Sequence, residues 1–89
     1  MNELIKKIKS NADIARAGLD YEYSLYVDNL IEKEDYITMY NYYMDKLMDL
    51  SSLTHSLATC DIISLSQWNE LIDYIDNQFN NCLNLYTVA

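Results

Sequence analysis

The strongest constraint on this fold is the near absence of residues that break helices. The 89 residues contain no proline and one glycine, Gly18. A many-turned β domain needs Gly, Pro and Asn-Gly signals between its short strands, so long helices are expected instead. Because 51% of the residues are hydrophobic, the chain should fold despite a net charge of −8. Disorder would require low hydrophobicity as well as charge.

The last helix has the clearest start signal. Ser64 followed three residues later by Gln67 forms a capping box, and Ile63 with Trp68 stands at the two positions of a hydrophobic staple. This helix is predicted at about 65–84. Its apolar residues recur at spacings of three and four, as on one face of an amphipathic helix. They are Trp68, Leu71, Ile72, Ile75, Phe79, Cys82 and Leu83.

A second helix is predicted at about 36–58, with Asp35 as its N-cap. Ile62 and Ile63, in the short connection to the last helix, are expected to pack inward. Spacings of three and four again mark the buried face. The expected core residues are Tyr36, Tyr40, Tyr43, Leu47, Leu50, Thr54 and Leu57.

The first helix is predicted at about 3–32, although residues 19–30 also alternate in the manner of a strand. A strand there would have unpaired backbone groups on both edges, because no other segment offers a run of period two. A single helical stripe runs through the disputed stretch instead. Its members are Ile5, Ile8, Ala12, Ala15, Leu19, Tyr23, Tyr26 and Leu30.

Gly18 leaves two alternatives open. It ends a first helix, or it lies inside one helix at a cost of about 1 kcal/mol. A continuous helix would place Ile14, Tyr21 and Leu25 beside Gly18 on the face opposite the core stripe, where they predict an oligomer contact. A break would bury them. The predicted fold is therefore a small all-α antiparallel bundle of three helices, or four with the break, in a single domain at 1–89.

The composition also bears on location and chemistry. No run of 18 apolar residues exists and the N-terminal lysines precede no apolar segment, so an intracellular, cytoplasmic protein is expected. Cys60 and Cys82 are expected to be reduced thiols. His55 is the only histidine, with no CxxC or HxxxH arrangement around it, so neither a metal nor another cofactor is expected. Ser56, His55 and Asp61 are close in sequence, but nothing indicates the scaffold that a catalytic triad needs, and no enzyme is predicted.

Acidic residues dominate the chain after its first nine residues. From residue 47 to the end there are five acids and no Lys or Arg. Such a surface repels nucleic acid and anionic membranes and attracts a basic protein partner. The predicted partner-binding residues are Glu70, Asp73, Tyr74, Asp76 and Asn77 in the last helix, Tyr42, Asp45 and Asp49 in the second, and Glu32, Glu34 and Asp35 before it. For Tyr42 and Tyr74, an interface role and the codon bias of a low-GC genome remain equal alternatives.

A short, acidic, tyrosine-rich and glycine-poor chain with runs such as EKEDY and NELIDYIDNQ resembles the small phage-encoded inhibitors of bacterial defence systems, anti-CRISPR proteins among them. The resemblance implies a stoichiometric inhibitor, acting in the bacterial host cell, that binds a nucleic-acid-handling effector and blocks its nucleic-acid channel or its assembly. The alternative function is a homo-oligomeric structural or regulatory helical bundle.

Overall fold

In a computed structural model, which describes the backbone of residues 2–86 and the side chains of residues 3–80, the chain forms three α-helices. α1 spans Asn2–Val27, α2 spans Lys33–Thr59 and α3 spans Leu65–Tyr86. Each helix packs against the other two. The short connections at 28–32 and 60–64 reverse the chain, so helices that follow one another run antiparallel and α1 runs parallel to α3. The predicted all-α bundle is confirmed.

α1 passes through Gly18 without a break. A Cβ atom built on Gly18 would overlap the ring of Tyr43 in α2, so the glycine allows that ring to lie directly against the backbone of α1. This close approach explains a glycine that helix propensity alone disfavours by about 1 kcal/mol. The prediction that Gly18 lies on the external face is wrong, because it faces α2.

α1 ends at Val27, five residues before its predicted end. The stop is a Schellman motif, in which the N–H of Leu30 bonds the carbonyl of Leu25 at 2.9 Å and the N–H of Asn29 bonds the carbonyl of Tyr26 at 3.0 Å. Asn29 takes the left-handed conformation, φ 60°, that usually requires glycine. Neither Gly nor Pro marks this helix end, so the predicted end lies five residues too late.

α2 begins three residues earlier than predicted. Its N-cap is Glu32, in an extended conformation without a side-chain capping bond, so the assignment of Asp35 as N-cap is wrong. Glu34 and Asp35 lie in the first turn of α2, where the positive end of the helix dipole favours acids. α2 ends in a second Schellman motif, with Asp61 at φ 59°.

The start of α3 is confirmed in full. The N–H of Ser64 donates to Oε1 of Gln67 at 2.8 Å, and the N–H of Gln67 donates to Oγ of Ser64 at 3.1 Å, which are the two reciprocal bonds of a capping box. Ile63 is buried and Trp68 packs against the same cluster, as a hydrophobic staple requires. Ile62 is 43% exposed, so only one of the two isoleucines packs inward.

Two clusters of buried side chains fill the bundle, one around Leu19 and Leu47 and the other around Ile8 and Leu71. The predicted stripe of α1 is buried over its first five members, but Leu30 is 69% exposed because the helix has already ended. The predicted core positions Cys82 and Leu83 lie outside the described side chains.

Tyrosines form much of the seam between α1 and α2. Tyr36 is fully buried, and its ring lies 5.1 Å from that of Tyr26, 5.9 Å from that of Tyr23 and 6.1 Å from that of Tyr40, measured between centroids. These separations are within the range at which aromatic rings attract each other beyond simple burial. The tyrosines expected in the core of α2 therefore do pack there.

Candidate functional site

The outward surface of α3 carries acids and amides around one shallow, open depression. They recur at spacings of three and four, so neighbouring turns of the helix bring them together. The residues that line it are Glu70, Asp73, Tyr74, Asp76, Asn77 and Asn80. Five of the predicted partner-binding residues are thus neighbours on one surface, together with Asn80, which was not predicted.

Glu70 is already paired within the chain. Nζ of Lys9 in α1 lies 2.8 Å from Oε1 of Glu70, and the same ammonium group sits 5.4 Å from the ring centroid of Tyr74. The absence of Lys and Arg from α3 predicts that its acids lack basic partners, and this prediction is wrong for Glu70. Both side chains are partly exposed, so this pair contributes at most about 1 kcal/mol to stability.

Tyr74 also points toward α1. Its hydroxyl donates to Oδ1 of Asp13, and the side-chain amide of Gln78 donates to the same oxygen at 3.2 Å. The hydrogen bond to Asp13, then partial burial and the negative charge of that carboxylate, raise the pKa of Tyr74 above its ordinary value, while Gln78 acts in the opposite sense. Tyr74 is half-buried in the seam with α1, so only part of its side chain lies on the outward surface, and its role in partner binding stays a prediction.

These contacts form a polar ladder along the parallel helices α1 and α3. Arg16 completes it, donating to Oε1 of Gln78 at 3.4 Å and pairing with Asp20 at 3.2 Å. The ladder residues are Lys9, Asp13 and Arg16 of α1 and Glu70, Tyr74 and Gln78 of α3. Both rows repeat at three or four residues beside an apolar stripe, a signal in the sequence that was overlooked.

The rest of the surface is what we call the acidic row, namely Asp73, Asp76, Asn77 and Asn80. All four are exposed. Among the described residues, no Lys or Arg nitrogen lies within 4.0 Å of the carboxylates of Asp73 and Asp76. Their charges are therefore available to a partner, in contrast to that of Glu70.

The predicted partner-binding residues of α2 lie elsewhere. Tyr42 and Asp49 line a groove between α1 and α2, where Nζ of Lys46 sits 5.1 Å from the ring centroid of Tyr42. Asp45 is exposed. The other predicted acids, Glu32, Glu34 and Asp35, are exposed at the start of α2. The predicted set therefore does not form one surface: five members lie together on α3, and Tyr42 and Asp49 lie together in the groove.

The apolar strip expected of a continuous α1 is present in part. Ile14 and Tyr21 are each 63% exposed, whereas Leu25 is half-buried. Ile14 also lines the groove between α1 and α2, beside Tyr42 and Tyr43. The strip thus lies at the edge of the seam with α2 and continues onto the outer surface of α1.

His55 has a structural contact. Its Nδ1 accepts a hydrogen bond from Nε1 of Trp68 at 3.1 Å, and this joins the last turns of α2 to the first turn of α3. Among the described residues, no group of three or more His, Cys, Asp or Glu side chains could hold a metal ion. Cys60 is exposed and unpaired, and the side chain of Cys82 is outside the described part.

Comparison with protein families, with curated proteins and with solved structures found no match to this chain. None of the helices, over the residues described, combines the length and the apolar character needed to cross a membrane. Its function must therefore be argued from the surfaces themselves.

Proposed function

We propose that this protein is an acidic protein-binding module, a stoichiometric inhibitor that occupies a basic site on a nucleic-acid-handling effector. The observation that supports the proposal is the acidic row, in which Asp73 and Asp76 are exposed and no Lys or Arg of the described part of the chain pairs with them. Helix faces usually mix both signs of charge. α3 contains no Lys or Arg at all, so its free carboxylates would attract a basic groove.

The charge density of this protein limits how far it can imitate nucleic acid. Duplex DNA carries one negative charge per about 1.7 Å, so the 46 Å length of this bundle would correspond to about 27 phosphates. The chain carries a net charge of only −8, a sum in which the ion pair of Lys9 and Glu70 has already cancelled. We therefore expect the acidic row to replace a few phosphates at one basic site, and not to imitate a length of duplex.

The exposed Ile14 and Tyr21 favour a second candidate function, a homo-oligomeric structural or regulatory bundle. Exposed apolar side chains that stand together are typical of contacts between proteins. Oligomerisation through α1 and binding through α3 use different surfaces, so both functions can belong to one molecule.

The proposal is tested by affinity capture followed by displacement of nucleic acid. The immobilised full chain is incubated with a nuclease-treated bacterial lysate, and the captured nucleic-acid-binding proteins are then purified. Each is titrated with labelled duplex DNA and this protein. We expect displacement of the DNA at one equivalent, weakening as salt rises from about 50 to about 200 mM because the contact is electrostatic.

Charge-reversed variants identify the surface. Asp73→Lys/Asp76→Lys should abolish displacement and Asp76→Lys alone should weaken it. Glu3→Lys, which changes the net charge by as much as Asp76→Lys but lies in the first turn of α1, should leave displacement unchanged. The proposal fails if the double variant still displaces DNA as the wild type does, or if the complexes of the wild type leave DNA binding intact.

A further inference from the structure

The outer surface of α1, opposite the core stripe, carries a row of exposed residues. They are spaced alternately by four and three, as neighbours on one helix face are, and three successive members, Ile14, Ala17 and Tyr21, are apolar. Every one of them is exposed. This outer stripe consists of Glu3, Lys7, Ser10, Ile14, Ala17, Tyr21, Ser24 and Asp28. Its centre is apolar and its ends are charged.

The two ends of α1 carry opposite charges on the outer surface. Lys6 and Lys7 are exposed in the second turn, after Glu3 in the first, and Asp28 follows the last turn, which contains no basic residue. Within one copy, Lys7 and Asp28 lie about 30 Å apart along the helix axis and cannot pair. A second helix running in the opposite direction would bring an acidic end to the lysines and a basic end to the aspartate.

We propose that two copies of this chain associate through the outer stripe of α1, with the two α1 helices antiparallel about a twofold axis between Ala17 and Gly18. In such a pair, residues whose numbers are symmetric about that axis face each other. Ile14 then packs against Tyr21 of the second copy, and Lys7 faces Asp28 of the second copy. The small side chain of Ala17 lies at the axis and allows the helices to approach closely.

This dimer leaves the acidic row uncovered. α3 is attached to α1 through Lys9, Asp13 and Arg16, which lie about a third of a turn around the helix from Ile14 and Tyr21. The dimer would therefore carry two acidic rows; its formation rests on the second candidate function, the homo-oligomeric bundle, and not on the proposed inhibitory function. Failure of DNA displacement would leave the dimer proposal intact, and the reverse also holds.

The first experiment is sedimentation equilibrium of the full chain over a concentration series at an ionic strength of about 0.15 M, where the Debye length is about 8 Å. We expect a monomer–dimer equilibrium. Ile14→Asp should make the chain monomeric, whereas Leu65→Asp, at an exposed position at the start of α3, should leave the equilibrium unchanged. A wild-type chain that is monomeric throughout the series overturns the proposal, as does a dimer that survives Ile14→Asp.

A charge swap tests the antiparallel register. Lys7→Glu or Asp28→Lys alone places like charges opposite each other twice in the dimer and should raise the dissociation constant by about tenfold. The double variant Lys7→Glu/Asp28→Lys restores opposite charges and should return to within about threefold of the wild type. Circular dichroism checks that each variant keeps its helices. A double variant as weak as either single variant overturns the antiparallel arrangement.

Discussion

α1 contacts its two neighbours by different means. Toward α2 it presents tyrosines and the backbone at Gly18, which meets the ring of Tyr43. Toward α3 it also presents the polar ladder, in which Lys9 pairs with Glu70 and Asp13 accepts from Tyr74. Removing a large buried aromatic side chain costs about 3–5 kcal/mol, whereas a partly exposed ion pair contributes at most about 1 kcal/mol. The two buried clusters, which include the aromatic seam, therefore hold the fold, and the ladder mainly decides which acids stay unpaired.

The largest expected effect comes from breaking the aromatic seam. Tyr36→Ala should lower the free energy of unfolding by about 3–5 kcal/mol, because removal of this fully buried ring leaves a cavity among three other tyrosines. This is a large part of the roughly 4–13 kcal/mol expected for a chain of this size. Urea unfolding followed by circular dichroism measures it. Leu65→Ala, at a site 71% exposed, should change stability by less than about 0.5 kcal/mol.

The contact between Gly18 and Tyr43 gives the next effect. In a Tyr43→Ala background, Gly18→Ala should stabilise the protein by about 1 kcal/mol, as helix propensity predicts. In the wild type the new methyl group meets the ring of Tyr43, so the same substitution should destabilise. Urea unfolding of the wild type, the two single variants and the double variant gives the coupling energy between Gly18 and Tyr43, expected at about 1–2 kcal/mol. Equal effects in the two backgrounds would show that the ring does not need the glycine.

The smallest effect sharpens the role of the polar ladder. Tyr74→Phe should cost about 0.5–1.5 kcal/mol near pH 7, the contribution of one hydrogen bond. Because the pKa of Tyr74 is raised in the folded state, this stability is present below about pH 10 and is lost as pH rises through the higher folded pKa. Urea unfolding across this range should show a shallower alkaline loss for Tyr74→Phe. Tyr21→Phe, at an exposed site, is the control and should lose stability with rising pH as the wild type does. If Tyr74→Phe loses as much stability at alkaline pH as the wild type, the hydrogen bond to Asp13 is not the cause.

Sequence patterns predicted the helices because each helix depends on local signals. The capping box at Ser64 and Gln67 and the apolar spacing of three and four both act within a few residues. The end of α1 was predicted in the wrong place because its local signal is unusual. A left-handed asparagine, Asn29, occupies the position where glycine is usual. A Schellman stop at a non-glycine residue leaves only a weak local signal.

The candidate site was harder to predict because it depends on pairing between distant segments. Helical projection placed Asp73 and Asn77 correctly on an outward face. It could not show that Glu70 and Tyr74 would meet Lys9 and Asp13, since those partners lie on another helix and the rotation of one helix against another is not encoded in a single periodic pattern. The availability of each acid, which matters for binding, therefore emerged only from the packed structure.

Gly18 has a further consequence, which concerns alignment. Two helices with regular stripes can often slide past each other by one turn and still bury apolar surface. Here the ring of Tyr43 requires a position on α1 without a side chain, and the sequence supplies one glycine. A shift of one turn would bring the ring to Ile14 or Glu22, where it would collide with a side chain. The missing side chain at Gly18 thus selects one axial alignment of α1 and α2.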